Sequence, residues 1–335
     1  MKIFYAVQAT GNGHISRAME LLPHLKKYGE VDIFLSGSNS TLPLNAPVAF
    51  RSQGLSLQYT CHGSLNYLRT LKQINFKRIR KEASDLPLKK YDLVLNDFEP
   101  ITSLACKLKD IPSIHFGHQA SFTTNKTPRP SKKNRIGEWI LKNYASGTCN
   151  VGLHFNSYDD FIEPPVIKSE IWIADVVDKG HITVYLPSYC DKELITIFLR
   201  MKDIRFEIFS RQAKKIFCID NISLLPVNKS SFNKSLISCR GIITSAGFET
   251  PSEALYLNKK LLVIPIKGQY EQLCNAAALR KMGIKVLDRI NHVFYKEVAQ
   301  WLLSSQPDNI IQFKPTVEIV DALVRTAYIN QTKFL

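Results

Sequence analysis

Short apolar runs alternate with amphipathic stretches along the whole chain. In the first half, Lys2–Val7, Val31–Leu35, Leu93–Leu95, Ser113–Phe116 and Val151–Phe155 predict strands. In the second half, His181–Leu186, Arg205–Phe209, Lys215–Ile219, Gly241–Thr244 and Leu261–Ile264 do the same, with a shorter run at Lys285–Leu287. Helices fill the intervals. After the first strand, Ile15, Ala18, Leu21, Leu22 and Leu25 recur at helical spacing. Strand–helix alternation of this kind implies parallel sheets and an α/β fold.

A chain of 335 residues is long for one such domain and suits two. Tyr158–Ser169 holds the break, because Pro164-Pro165 ends any helix and stiffens a linker. The expected units are residues 1–163, residues 164–315 and a C-terminal helix within 316–335. Lys2–Val7 is too short for a signal peptide, and no run of about eighteen apolar residues could span a bilayer.

Two segments carry candidate chemistry. The stretch Gly241–Asn275 reads as strand, small-residue turn, helix, strand, polar loop, helix. Ser245-Ala246-Gly247 form the turn, and Thr250, Ser252 and Glu253 stand at the head of the helix. Unpaired N–H groups at a helix start carry partial positive charge and suit a phosphate. Glu271, Gln272 and Asn275 open the next helix with carboxylate and amide groups, which hydrogen-bond sugar hydroxyls. Phosphate at one end and polyol at the other describe a nucleotide sugar.

At the amino terminus, the first strand runs into Gly11-Asn12-Gly13-His14. Glycines there allow close approach of a ligand to the backbone. The loop is neither the dinucleotide fingerprint, which needs a third glycine, nor a Walker loop, which needs Gly-Lys-Ser/Thr. His14 is a candidate general base, since imidazole titrates near neutral pH. Such a base needs an orienting carboxylate, and Asn96-Asp97-Phe98-Glu99 at the end of a later strand offers two, Asp97 and Glu99. Arg17, one turn beyond His14, meets an anionic acceptor group or is solvated. His118 contacts the acceptor or is structural. Ser188, after the strand His181–Leu186, contacts phosphate or caps a helix.

Together these motifs resemble the GT-B glycosyltransferases. The likeness is to the branch that holds the peptidoglycan N-acetylglucosaminyltransferase, the diacylglycerol galactosyltransferases and the UDP-glycosyltransferases of small molecules. Thr250, Ser252, Glu253, Gln272 and Asn275 stand at the matching places of the donor motif. The Gly-rich loop ending in His14 matches the acceptor-side motif. The resemblance implies two Rossmann-like domains facing a cleft, with the last helix crossing back to the first. It implies Thr250 and Ser252 near the diphosphate, Glu253 on the ribose, and Glu271 and Gln272 on the donor hexose. Ser245 and Gly247 belong to the same donor set, with Ser188 in the first phosphate loop. Gly11, Asn12, Gly13, Arg17 and His118 fall on the acceptor side. It further implies inverting transfer without a metal or other cofactor, with Asp97 pairing to His14. One departure is visible: many members carry His where this chain has Ser245. Two alternatives stand beside this reading, a UDP-sugar 2-epimerase on the same fold and a non-catalytic protein binding a nucleotide sugar or anionic polymer.

Charge adds a partner class. The 44 Lys and Arg exceed the 29 Asp and Glu by 15. The excess thickens at Arg69–Lys81, near Leu65, Leu68 and Leu71, and at Lys126–Arg135. Basic and apolar residues together suit an anionic membrane surface. No helix-turn-helix, zinc-finger, RRM or KH signature points to nucleic acid. The seven Cys are scattered without CxxC or zinc spacing, which suits a reducing compartment. The expectation is a cytoplasmic protein, resting on the inner membrane face where its acceptor is a lipid. The acceptor itself is a lipid, a glycan or a small molecule.

Overall fold

A computed structural model describes residues 1–9, 11–37, 44, 46–54, 75–305, 307 and 311–331. Leu65, Leu68, Arg69, Leu71 and Lys72 of the first basic stretch, and Cys61, lie outside the described residues. The apolar runs form two seven-stranded sheets. The first holds β1 (Lys2–Gln8), β2 (Glu30–Ser36), β3 (Phe50–Ser52), β4 (Leu93–Asp97), β5 (Ile114–Gly117), β6 (Cys149–Leu153) and β7 (Ile162–Glu163). Its order is β3-β2-β1-β4-β5-β6-β7, and its pairs are parallel.

The second sheet holds β8 (His181–Tyr185), β9 (Arg205–Ser210), β10 (Phe217–Ile219), β11 (Ile222–Pro226), β12 (Gly241–Thr244), β13 (Lys260–Val263) and β14 (Lys285–Val286). Its order is β10-β11-β9-β8-β12-β13-β14. Here β10 and β11 pair antiparallel and the other pairs are parallel.

Helices separate the strands: α1 (Asn12–Leu25), α2 (Phe76–Asp85), α3 (Pro100–Lys109), α4 (Arg135–Asn143), α5 (Ser169–Trp172), α6 (Asp191–Phe198), α7 (Lys229–Ser238), α8 (Glu249–Tyr256), α9 (Tyr270–Lys281), α10 (Phe294–Leu303) and α11 (Thr316–Gln331). Burial on both faces explains why the strands lack polar alternation. Successive side chains of β1 point to opposite faces. Phe4 and Ala6 pack with Ile79 and Ala83 of α2 and Ile101 and Ala105 of α3. Ile3, Tyr5 and Val7 pack on the other face with Ile15, Ala18 and Leu21 of α1. Ile319, Val320 and Leu323 of α11 join that cluster, and the Tyr28 hydroxyl donates to Asp321.

Three readings are corrected. Lys215–Ile219 does hold a strand, β10, but a short one at the sheet edge that runs antiparallel to its neighbour, against the expected parallel sheet, and leaves Phe217 half exposed. A left-handed Asp220 (φ 47°) turns the chain into β11, which the sequence reading missed. The stretch read as linker contains β7, which closes the first sheet beside β6.

Both sheets change direction beside their first strand. From β1 the chain builds outward through β2 and β3, then returns to place β4 on the other side. From β8 it builds through β9 to the β10–β11 hairpin, then places β12 on the other side. Crevices at such points collect ligands in open α/β sheets. His14 follows β1 and Asp97 ends β4. Ser188 follows β8 and Ser245 follows β12.

Candidate active site

His14 and Arg17 stand three residues apart on α1, so both side chains project from one face of its first turns. Opposite them, β4 ends in a tight turn. The Asn96 side chain accepts from Glu99 N at 2.7 Å and donates to Glu99 O at 3.0 Å, while Phe98 takes a left-handed φ of 57°. This turn holds the Asp97 carboxylate between the two α1 side chains. His14 Nδ1 lies 2.8 Å from Asp97 Oδ1. Arg17 donates from Nη2 to Oδ1 at 2.7 Å and from Nε to Oδ2 at 3.2 Å. The Tyr5 hydroxyl lies 3.5 Å from Oδ2.

Asp97 is fully buried. Burial alone would raise its pKa, but Arg17 and His14 overcome it and hold the carboxyl at about 2. Gly117 closes the site from β5. Its φ is +107°, and a Cβ there would stand 3.0 Å from both Arg17 Nη2 and Asp97 Oδ1. Only glycine fits that strand end without displacing the ion pair.

The two open carboxylate candidates separate cleanly. Glu99 does not face His14. It caps α3, accepting from Ile101 N at 2.9 Å and Thr102 N at 2.5 Å, and is fully buried there. Burial raises its pKa and these two N–H donors oppose the rise. Neither reading of Arg17 holds. It is not solvated and does not present its charge to an acceptor, because its side chain is 2 % exposed and both edges are engaged. Its Nη1 donates across to Glu249, the first residue of α8.

Glu249 is a residue the sequence reading passed over. A carboxylate in the first turn of a helix is ordinary helix chemistry, so its position gave no signal. Enclosure of its carboxyl raises the pKa to about 7, against the pull of Arg17. Gly13 lies against it, with room for a Cβ only 3.1 Å from Glu249 Cγ.

His118 and Asn275, expected on opposite ligands, bind each other. His118 is buried, stacked on Phe248 at 3.9 Å, with Nδ1 2.9 Å from Leu153 O. Its Nε2 lies 2.7 Å from Asn275 Oδ1. Asn275 is also buried and donates from Nδ2 to Ala246 O at 3.0 Å. Neither presents a polar group to a ligand. Burial lowers the pKa of His118, and Glu271, 3.9 Å away, works against that shift.

The remaining donor candidates divide. Ser252 is fully buried and its hydroxyl donates to Phe248 O at 2.8 Å, inside the helix. Glu253 is buried and paired to Lys168 at 2.9 Å. It nevertheless lines a cavity with Thr250, Glu249, Lys168, Tyr185, Asn228 and Lys229, and with Asn12, Gly13 and Ser16 from α1. Gly247 has nothing within 4 Å of a would-be Cβ, and Ser245 follows β12 directly. Ser188 sits half-buried in the turn after β8 and does not cap α6, whose N-cap is Cys190. At α9, Gln272 accepts from Ile266 N at 2.9 Å and Glu271 accepts from Gln119 at 3.1 Å. Gly11 is the N-cap of α1 with open space beside it. Lys168, Glu249 and Gly117 are the site residues that the motifs did not name. Lys168 was hidden because nothing in the linker pattern tied it to Glu253.

The glycosyl transferase family 1 model matches residues 1–305. The fold is similar to that of the spinosyn forosaminyltransferase SpnP, at 13 % identity and a TM-score of 0.62, covering 98 % of this chain and 99 % of that one. Arabidopsis thaliana UGT89C1, solved with UDP, gives 12 % and 0.62 over 97 % and 99 %. Acinetobacter baumannii MurG gives 16 % and 0.55 over 99 % of each chain. At such identities the likeness is one of fold. No curated protein matches the chain in sequence.

Proposed function

The chain belongs to glycosyl transferase family 1, and from that membership we propose that it moves a hexose or N-acetylhexosamine from a UDP-linked sugar to an acceptor hydroxyl, with inversion. Membership takes the transferase over the 2-epimerase and the binding protein. The observation that carries the mechanism is the 2.8 Å contact of His14 Nδ1 with Asp97 Oδ1. A proton on Nδ1 directed at Asp97 leaves a lone pair on Nε2, at the far side of the ring. Nε2 takes the acceptor proton as the acceptor oxygen bonds to the anomeric carbon. The bond from that carbon to the diphosphate breaks, and its electron pair leaves with the diphosphate. Asp97 stays ionised and stabilises the imidazolium.

On the donor side, the head of α8 with Thr250, Ser245 and Gly247 receives the diphosphate. Glu253 meets the ribose, and Glu271 and Gln272 the hexose. Ser188 contributes from the turn after β8. The charge on the leaving diphosphate is met by helix N–H groups, hydroxyls and Lys168 rather than by a metal ion.

The acceptor side faces an anionic surface in this reading. On α4, Ile136 and Trp139 are exposed at 55 % and 62 %, beside Arg135 and Lys142 and just after Lys132 and Lys133. On α2, Phe76 is 72 % exposed next to Lys77 and Arg78. None of the described helices is long and apolar enough to cross a membrane. Binding to vesicles with anionic lipid, and none to neutral vesicles, is the expected result; equal retention on both removes this part of the reading.

The test of the donor is a thermal-shift panel of UDP, GDP, TDP and CDP and their common sugars, with and without EDTA. A ligand that binds the folded state raises the melting temperature by mass action. A UDP-selective rise that EDTA leaves intact is expected. No rise with any nucleotide at millimolar concentration defeats the assignment.

A further inference from the structure

Two groups compete for His14 Nδ1. Asp97 Oδ1, 2.8 Å away, can only accept and so requires a proton on that nitrogen. Arg17 Nη2, 3.0 Å away, can only donate and so requires a lone pair there. The two demands select opposite tautomers of the neutral ring. With the proton on Nδ1, Nε2 is a free base. With the proton on Nε2, the nitrogen facing away from Asp97 cannot accept from a hydroxyl.

Charge decides between them. Arg17 lies on both oxygens of Asp97 and cancels its charge. That pair still offers Oδ1 as an acceptor to Nδ1, but with no net charge it favours an imidazolium less than a lone carboxylate would. Glu249 changes the sum. Above about pH 7, where Glu249 is ionised, Arg17 +1, Asp97 −1 and Glu249 −1 leave −1 beside His14, and the imidazolium formed in turnover brings the set to zero. Glu249 also engages Nη1, the nitrogen of Arg17 that Asp97 leaves unused, and so fixes the guanidinium from its far edge.

We infer that Glu249 is a positioning residue for the base: by holding Arg17 from across the cleft, it keeps His14 in the tautomer with its proton on Nδ1. This rests on His14 acting as the base of the transferase described above. The base is then complete only when the head of α8 meets α1, so the helix assigned to the donor completes the acceptor-side base. Groups facing Glu249 are Arg17 and His14 of α1, Asp97 of β4, Tyr5 of β1 and Glu253 of its own helix. Its pKa near 7 means that mild acid removes the same charge that a Gln substitution removes.

The test is nitrogen NMR of the imidazoles above neutral pH, where the two neutral tautomers give distinct nitrogen shifts. The His14 signals among the eight His are assigned by difference with His14→Gln. Wild type is expected to show the proton on Nδ1. Glu249→Gln keeps a hydrogen-bond acceptor for Arg17 but not the charge, and is expected to move a large fraction to the Nε2 tautomer. Its kcat is expected to fall roughly tenfold, the equivalent of about one pK unit of lost interaction. The acid limb of its pH profile should lose the step contributed by Glu249. Circular dichroism and melting temperature confirm that the variant is folded; were it not, Glu249→Ala, which removes the charge together with the side chain, is read the same way. An unchanged tautomer ratio in a folded variant overturns the inference. The NMR readout needs no donor or acceptor, so it is decided separately from whether UDP sugar is the substrate.

Discussion

His118 Nε2 meets Asn275 Oδ1 at 2.7 Å, tying the end of β5 to the helix α9 of the second sheet. Ala246 O fixes which way the amide points, because it can accept only from Nδ2. The pair therefore spans the two sheets behind Phe248, whose ring stacks on His118.

Asn275→Ala strips a partner from His118 and from Ala246 O at once. Each buried polar group left unmatched costs about 1–3 kcal/mol. A clear drop in melting temperature is expected, with nucleotide affinity falling less than stability. A variant as stable as wild type, but unable to bind nucleotide, would instead return Asn275 to the donor contacts.

Asp97→Asn tests the electrostatics of the buried cluster. The folded pKa is depressed to about 2, against roughly 4 for a free Asp. Stability from this group is therefore full above the unfolded value and is lost as pH falls through the folded one. The window is about pH 4 to 2, and the linkage amounts to about 2 kcal/mol. Asn also leaves Arg17 paired only to Glu249, so at neutral pH the variant should lose roughly 3–5 kcal/mol. Urea unfolding as a function of pH should show the gap between the two proteins narrowing by about 2 kcal/mol as pH falls from about 4 to 2. A gap that stays constant through that range would mean that Asp97 does not carry the acid dependence.

Much of this arrangement was legible in the sequence, for physical reasons. Continuous apolar runs such as Leu93–Leu95 and Leu261–Ile264 can be satisfied only between two layers of helix, so the doubly wound fold followed from them. Ligand-bearing strand ends followed from the fold, which brought His14 and Asp97 onto one reading. The rest depended on contacts between residues far apart in the chain. Glu249 and Arg17 are 232 positions apart, and each alone looks like ordinary helix chemistry. Asn275 and Ser252 stand at motif positions, but burial turns their side chains inward. Glu99 and Asp97 differ by two residues, and the left-handed Phe98 between them sends one carboxylate to His14 and the other to the α3 N-terminus. No spacing rule could have separated them. The short strands β3 and β7 lack apolar runs long enough to announce themselves; they exist because β2 and β6 offer them an edge.

His14→Gln isolates the proton transfer. Glutamine keeps a polar group of similar reach beside Asp97, so the buried cluster retains a hydrogen-bond partner at that point. What it cannot do is accept a proton near neutral pH. Positioned acid–base groups contribute typically 10²- to 10⁴-fold, and a loss of that size in kcat is expected. Nucleotide binding should be untouched, because the residues assigned to the donor stand on α8, α9 and the turns after β8 and β12. Thermal shift with UDP should therefore match wild type while sugar transfer collapses. Loss of both together would mean that His14 supports the fold of the cleft rather than the chemistry. Retention of both would place the base elsewhere, and the contact of His14 with Asp97 would then be a structural pair at the start of α1.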